Sequence, residues 1–157
     1  PTVARGWQCA LTVPRELSMR DGKLCQQPAH EIERMRGDCV RATGGETVEE
    51  PGRLFDLVVS CEGAKMVELE IRKGVFVRYA GGMLTLDMGD EGYGRDQRSI
   101  ELSELRDLRV LSDTTMVEIF ANGGEAALTS RTYSPAVPAM ELHAEGAASM
   151  NFYRLVH

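Results

Sequence analysis

Aromatic residues are scarce in this 157-residue chain: one Trp, four Tyr and four Phe, or 6% in all. So few rings leave little material for an exposed aromatic platform of the kind that stacks on sugar rings or nucleobases. Trp7 is therefore read as the anchor of a core edge or of a seam with a neighbouring domain. Histidine is scarcer still, and His30, His143 and His157 stand far apart. The four cysteines, Cys9, Cys25, Cys39 and Cys61, contain no C-x-x-C pair. Together these spacings exclude the usual zinc sites, and no metal is expected. A domain of this length does not need disulfides, so the thiols are expected to be free and mostly buried, with a reducing, cytoplasmic compartment as the corollary.

Positive charge is also in deficit. Eighteen Lys and Arg face 24 Asp and Glu, giving a net charge of -6, and the basic residues are scattered rather than clustered. That pattern lacks the footprint of a nucleic-acid binder. No apolar run approaches the length of a transmembrane helix, so no membrane partner is expected. The glycines of EGYGRDQ, Glu91 to Gln97, precede no helical pattern. They form a loop and not a phosphate cradle, and no cofactor is expected. Pro1 in place of an initiating methionine is read as the cut end of a longer chain, which makes the lack of a leader uninformative about secretion.

What the sequence does contain is a regular alternation of short polar/apolar stretches and turn dipeptides. Turns are signalled at Asp21-Gly22, Gly44-Gly45, Lys73-Gly74, Gly81-Gly82 and Asn122-Gly123. Between them MVELEIR (66–72) interleaves Val67, Leu69 and Ile71 with charged residues. GVFVRYA (74–80), MLTLDM (83–88), SIELS (99–103), LRVLSD (108–113), PAMELHAEG (138–146) and the closing SMNFYRLVH read as further strands. The expected fold is all-β, a single antiparallel two-sheet β-sandwich over residues 1–157. One short connector helix is predicted over Pro28–Arg36, with Pro28 in its first turn and Gly37 to end it. Gly37 to Gly52 is expected to be a mobile loop or edge strand, and Gly89 to Gln97 an exposed loop.

VEIFANGGEAALTS, Val117 to Ser130, poses the chemical question, because it carries two glutamates about one turn. Asn122-Gly123 is the strongest short hairpin signal. A two-residue turn would pair Ala121 with Gly124 and place Glu118, Phe120 and Glu125 on one face. The two carboxylates would then be diagonal neighbours roughly 7–8 Å apart. That overlaps the separation of an inverting glycosidase pair, about 6.5–9.5 Å. Distance is not enough, since a catalytic acid needs a desolvated cleft or a like charge to raise its pKa, and the neighbouring sequence supplies neither. The expected reading is two strand glutamates on a partly solvated face, with Phe120 on that face covered by a second sheet, a domain or a subunit.

Two segments carry a resemblance. WQCALTVPRELSMRDGKLCQQPAHEIERMR, Trp7 to Arg36, has in order a Trp, a "T-x-P-R-E-L" strand, an "R-D-G-K-L" turn, a "Q-x-P" and an "E-I-E-x-x-R" helix. LRVLSDTTMVEIFANGGEAALTSRTYSP, Leu108 to Pro135, and MLTLDMGDEGYGRDQRSIEL before it follow in register. Together these segments resemble the C-terminal β-sandwich module, concanavalin- or lectin-like, of family 32 glycoside hydrolases: the invertases, sucrose-6-phosphate hydrolases and fructanases. Met88, Tyr153 and Thr114-Thr115 depart from the Arg, the Trp and the Ser-containing pair usual in that family.

The resemblance implies a non-catalytic module. Catalysis in the family belongs to an N-terminal five-bladed propeller, with an Asp nucleophile in "N-D-P-N-G", a transition-state Asp in "R-D-P" and an acid/base Glu in "E-C". None of these strings occurs here: the R-D pairs continue as Arg20-Asp21-Gly22, Arg95-Asp96-Gln97 and Arg106-Asp107-Leu108, and Cys61-Glu62 runs in reverse. No catalytic residue is carried over. The implied partner is the enzyme's own propeller, with a homodimer as a further option. The parent is expected to be a retaining hydrolase of sucrose, sucrose-6-phosphate or a fructan. Trp7, Arg15, Glu16 and Phe120 are the expected interdomain or subunit seam. The alternative is a carbohydrate-binding module recognising fructose-containing saccharides.

Overall fold

The structure, a computed structural model, describes Ala4, Gly6 and residues 9–156. Trp7 lies outside the described residues. The chain runs through strands β1 (Arg15–Arg20), β2 (Lys23–Pro28), β3 (Arg36–Thr43), β4 (Thr47–Glu49), β5 (Phe55–Ser60), β6 (Met66–Arg72), β7 (Val75–Ala80) and β8 (Met83–Asp87). It continues through β9 (Gln97–Glu101), β10 (Asp107–Ser112), β11 (Met116–Ala121), β12 (Ala126–Arg131), β13 (Ala139–Glu141), β14 (His143–Glu145) and β15 (Ser149–Leu155). A six-stranded sheet has the order β12-β11-β10-β5-β15-β3, and a five-stranded sheet the order β14-β6-β7-β8-β9. All the pairings are antiparallel.

Alternation decides which face is buried. Leu57, Val59, Val110, Ile119 and Phe152 of the larger sheet form one cluster with Val67, Leu69, Val77, Leu84 and Leu86 of the smaller one. This is a two-sheet sandwich, as the alternation predicts. The Gly81-Gly82 turn shows why turn chemistry sets the register: φ of +57° and +78° lets β7 reverse directly into β8, and L-residues with a Cβ adopt such angles only at a steric cost.

Four expected segments take a more definite form in the structure. The connector over Pro28–Arg36 is a 3-10 helix of His30–Met35, and Pro28 belongs to β2. Gly37 to Gly52 takes the edge-strand form of its expectation: it contains most of β3, which ends the six-stranded sheet, and β4. The predicted strand 138–146 is two short strands serving different sheets, since β13 pairs with β4 and β14 with β6. The loop expected over Gly89 to Gln97 begins as a 3-10 turn, Gly89–Gly92.

The outer face of the larger sheet, away from the core, carries a partial third layer. Hairpin β1-β2 pairs only within itself, from Arg15↔Pro28 to Arg20↔Lys23. It is seated across the tip of the β11-β12 hairpin by a Gln26 N–H donating to the Gly124 carbonyl at 2.9 Å. Gly124 sits at φ +89°, and a Cβ there would lie 2.6 Å from the Gln26 carbonyl carbon. Only glycine lets the two backbones meet.

Candidate functional site

The two glutamates of the late hairpin do not form a pair. Asn122 and Gly123 take positive φ, +53° and +62°, and Gly124 N–H donates to Ala121 O at 2.9 Å, which is the expected primed turn. Gly124 and Glu125 then extend the loop, and the register closes as Ala121↔Ala126, Phe120↔Ala127 and Glu118↔Thr129. The shift of two residues keeps every side chain on its expected face but leaves Glu125 in the loop and no longer beside Glu118.

Glu118 is also not on a partly solvated face. It is 3% exposed, and its carboxylate accepts from the Val13 N–H at 2.7 Å and from Arg15 Nη2 at 2.6 Å. Arg15 completes the clamp by donating to Gln26 Oε1 at 2.9 Å and Thr129 Oγ1 at 2.8 Å. Its guanidinium carbon stands 5.1 Å from the centroid of the Phe120 ring, a cation–π contact. Phe120 is therefore covered by this chain's own first hairpin and is only 2% exposed. Glu125 is ion-paired with Lys23 and Arg106, and the Lys23 hydrogen bond holds its carboxyl below the usual range. A carboxylate kept ionised by cations is a poor proton donor, so neither glutamate is placed to act as a catalytic acid.

Of the expected seam residues, the structure brings Arg15 and Phe120 together and leaves Glu16 apart. Glu16 points to solvent and accepts from His30 Nδ1 at 2.7 Å and from the His30 N–H at 3.1 Å. That hydrogen bond lowers the Glu16 pKa below 4.5 and raises the His30 pKa above 6.5. Both groups are exposed. The pairing contributes fully between these two ordinary values, and is lost as pH falls through the lowered Glu16 pKa or rises through the raised His30 pKa. In an NMR titration the His30 ring is expected to titrate above 6.5, and Glu16→Gln to bring its midpoint back toward that value. An unmoved midpoint would exclude the pairing.

Glu16, His30 and Glu31 offer ligand atoms within 4.8 Å of one another. All three are exposed side chains whose interactions are ion pairs with each other. The cysteines are free, as expected, but only Cys25 and Cys61 are buried, while Cys9 and Cys39 are exposed. Burial pushes the Cys61 thiol up to about 12, which makes it unreactive.

Two polar centres were not visible in the sequence. Asp56 is fully buried on the outer face of β5 and accepts from Arg36 Nε (2.7 Å), Arg109 Nε (3.0 Å) and Arg109 Nη2 (2.7 Å). Arg72 is fully buried at the end of β6 and donates to Ser112 Oγ and to the carbonyls of Ser134, Arg53 and Asp113. The residues each one meets are remote in sequence, so no local motif announces them.

The hairpin's exposed surface is its other notable feature. Leu17 (64% exposed), Met19 (67%) and Leu24 (54%) lie on the face of β1-β2 that also holds Arg15, and none of the described residues buries them. Singly, exposed leucines are ordinary, but neighbouring ones on a two-stranded sheet mark an interaction surface.

Comparison with known proteins agrees with this architecture. Residues 79–155 match the family described as glycosyl hydrolases family 32 C terminal. The chain is 35% identical over 154 residues to raffinose invertase of Escherichia coli, covering 87% of this chain and 32% of that protein. It is 32% identical over 145 residues to sucrose-6-phosphate hydrolase of Salmonella typhimurium, covering 87% of this chain and 28% of that protein. The chain thus spans about a third of the length of the relatives it matches. The fold is shared with a sucrose-6-phosphate hydrolase from Lactobacillus gasseri, at TM-score 0.76 and 18% identity over 90% of this chain and 33% of that one. It is shared too with an exo-inulinase from Aspergillus awamori, at TM-score 0.73 and 17% identity over 96% of this chain and 36% of that one. The chain carries a family 32 glycosyl hydrolase C-terminal domain and belongs to that family.

Proposed function

We propose that this chain is the non-catalytic C-terminal module of a β-fructosidase, and that it stabilises a catalytic propeller by docking hairpin β1-β2 against it. The parent enzyme in this reading is a retaining hydrolase of sucrose, sucrose-6-phosphate or a fructan. The observation that carries the proposal is the hairpin itself. Its Arg15 end is locked to the sandwich by Glu118, and the Gln26 backbone meets Gly124. Further along the same face, toward the turn, the hairpin presents Leu17, Met19 and Leu24, and it joins neither large sheet. Such a two-stranded ribbon is marginal by itself in water and is stabilised by further strands or a covering surface. The seam in this reading lies on Leu17, Met19 and Leu24, with Arg15 and Phe120 fixing the hairpin at the far end of the same face. The commitment of Glu118 and Glu125 to cations supports the non-catalytic role.

The test is a hydrolysis assay on sucrose and sucrose-6-phosphate, with the chain alone and joined to a family 32 propeller. Activity is expected only in the joined form. There, Leu17→Asp with Met19→Asp is expected to lower the thermal midpoint, whereas Glu118→Gln in the chain alone changes no activity because there is none. Turnover by the chain alone would overturn the proposal, as would a joined form indifferent to the Asp pair. The open edge of β3, with Val40 45% exposed, is the surface we assign to a homodimer contact; light scattering that reports a monomer would remove it.

A further inference from the structure

A pocket of about 330 Å³ opens on the outer face of the six-stranded sheet, between the connector helix and the tip of the β11-β12 hairpin. Its size falls at the lower end of small-molecule sites, about 300–1,000 Å³, and suits one or two sugar rings. The lining combines apolar surface from Val58, backed by the buried Phe120 and Pro28, with polar groups from three separate elements.

Those polar groups are held in place and only partly used. Arg109 is fixed by Asp56 and, through Nη1, by Glu33 at 3.3 Å. This engages three of its N–H groups, and a guanidinium has five. Asp107 accepts from the Gly123 N–H at 2.8 Å through Oδ1, and its Oδ2 receives no hydrogen bond among the described residues. The Asn151 side-chain NH₂, on β15, donates to nothing among the described residues. Fixed donors and a fixed acceptor therefore converge beside an apolar floor.

Charge narrows the ligand class. Arg36 and Arg109 are matched by Asp56 and Glu33, and Asp107 adds a further negative charge. Among the residues that line the pocket, a phosphate or carboxylate would meet no uncompensated cation. A hydroxyl, which both donates and accepts, suits Asp107 and the Arg109/Asn151 donors together, and the C–H face of a sugar ring suits the partly exposed Val58.

We propose that this pocket binds a neutral mono- or disaccharide, making the module a sugar-binding element in addition to a structural one. The site argument stands apart from the docking role, and only the choice of fructose and sucrose as probes rests on it. In ¹H–¹⁵N spectra of the chain, fructose, glucose or sucrose is expected to produce saturable shifts at the Gly123 and Gly124 amides and the Asn151 side-chain amide. Inorganic phosphate is expected to produce none there. Asn151→Leu removes a donor and Val58→Phe fills the floor, and each is expected to weaken binding at least tenfold. The proposal is overturned if no sugar gives a saturable shift in the unsubstituted chain, a result independent of whether either variant folds. It is also overturned if phosphate shifts the same amides as strongly, or if both variants fold and bind like the parent. None of these readings depends on hydrolysis, so failure here and failure of the docking role are separate results.

Discussion

Replacing Arg72 with Met is expected to destabilise the fold by about 3 kcal/mol, from opposing contributions that do not fully cancel. The side chain is fully buried, and its donors converge on Ser112 Oγ and three backbone carbonyls, with no carboxylate among them. Methionine fills similar space but strands those acceptors, each at about 1–3 kcal/mol if it finds no water. Against this, burial depresses the Arg72 pKa to about 10, so removing the charge recovers a desolvation cost on the order of a few kcal/mol. Several stranded acceptors exceed that recovery. The thermal midpoint is expected to fall on the order of 10 °C, read by calorimetry against the parent chain. Above about pH 10 the unfolded chain holds the proton more readily than the folded one, so this group's share of stability rises with pH there, and Arg72→Met abolishes that rise. A midpoint unchanged within a degree or two would mean that water replaces the guanidinium.

Arg72 also shows where sequence patterning stops being sufficient. In MVELEIR the alternation places it beside Met66, Glu68 and Glu70 on the polar face. A register irregularity between Glu70 and Arg72, which pair with Phe76 and Val75, puts Arg72 with the buried residues. Bulges of this kind move one side chain across a sheet without leaving a local signature. The same limit applies at Phe55–Ser60. Its nearly unbroken apolar run has no period, so it is not legible as the strand that sits between β10 and β15. By contrast, β6, β7, β8, β10 and β11 follow directly from alternation bounded by turn dipeptides. The late turn shows both outcomes in a few residues: Asn122-Gly123 forms the expected geometry, whereas Gly124 is needed for a contact with Gln26, distant in sequence, and lengthens the loop. Glu118 was legible as a strand residue, but its burial comes from Val13 and Arg15, which lie 105 and 103 residues earlier.

Asp56→Asn is expected to be at least as damaging, because it strands cations and not carbonyls. Asp56 has no exposed surface, and Arg36 and Arg109 beside it are only 17% and 14% exposed. The amide keeps the shape but removes the charge, and its NH₂ would face guanidinium donors. Breaking a buried ion pair on one side costs about 3–5 kcal/mol, since the partner charge remains buried. A loss of that size moves the midpoint by on the order of 10 °C. Asp56→Asn combined with Arg36→Met and Arg109→Met removes all three charges, and is expected to recover much of the loss. Recovery would identify the stranded guanidinium groups as the cause. Failure to recover would mean that Asp56 acts mainly through packing between β5, β10 and β15. The combined variant also separates stability from recognition: it is expected to refold the sheet yet lose the sugar-dependent shifts, because Arg109 is both a member of the ion cluster and a donor in the pocket.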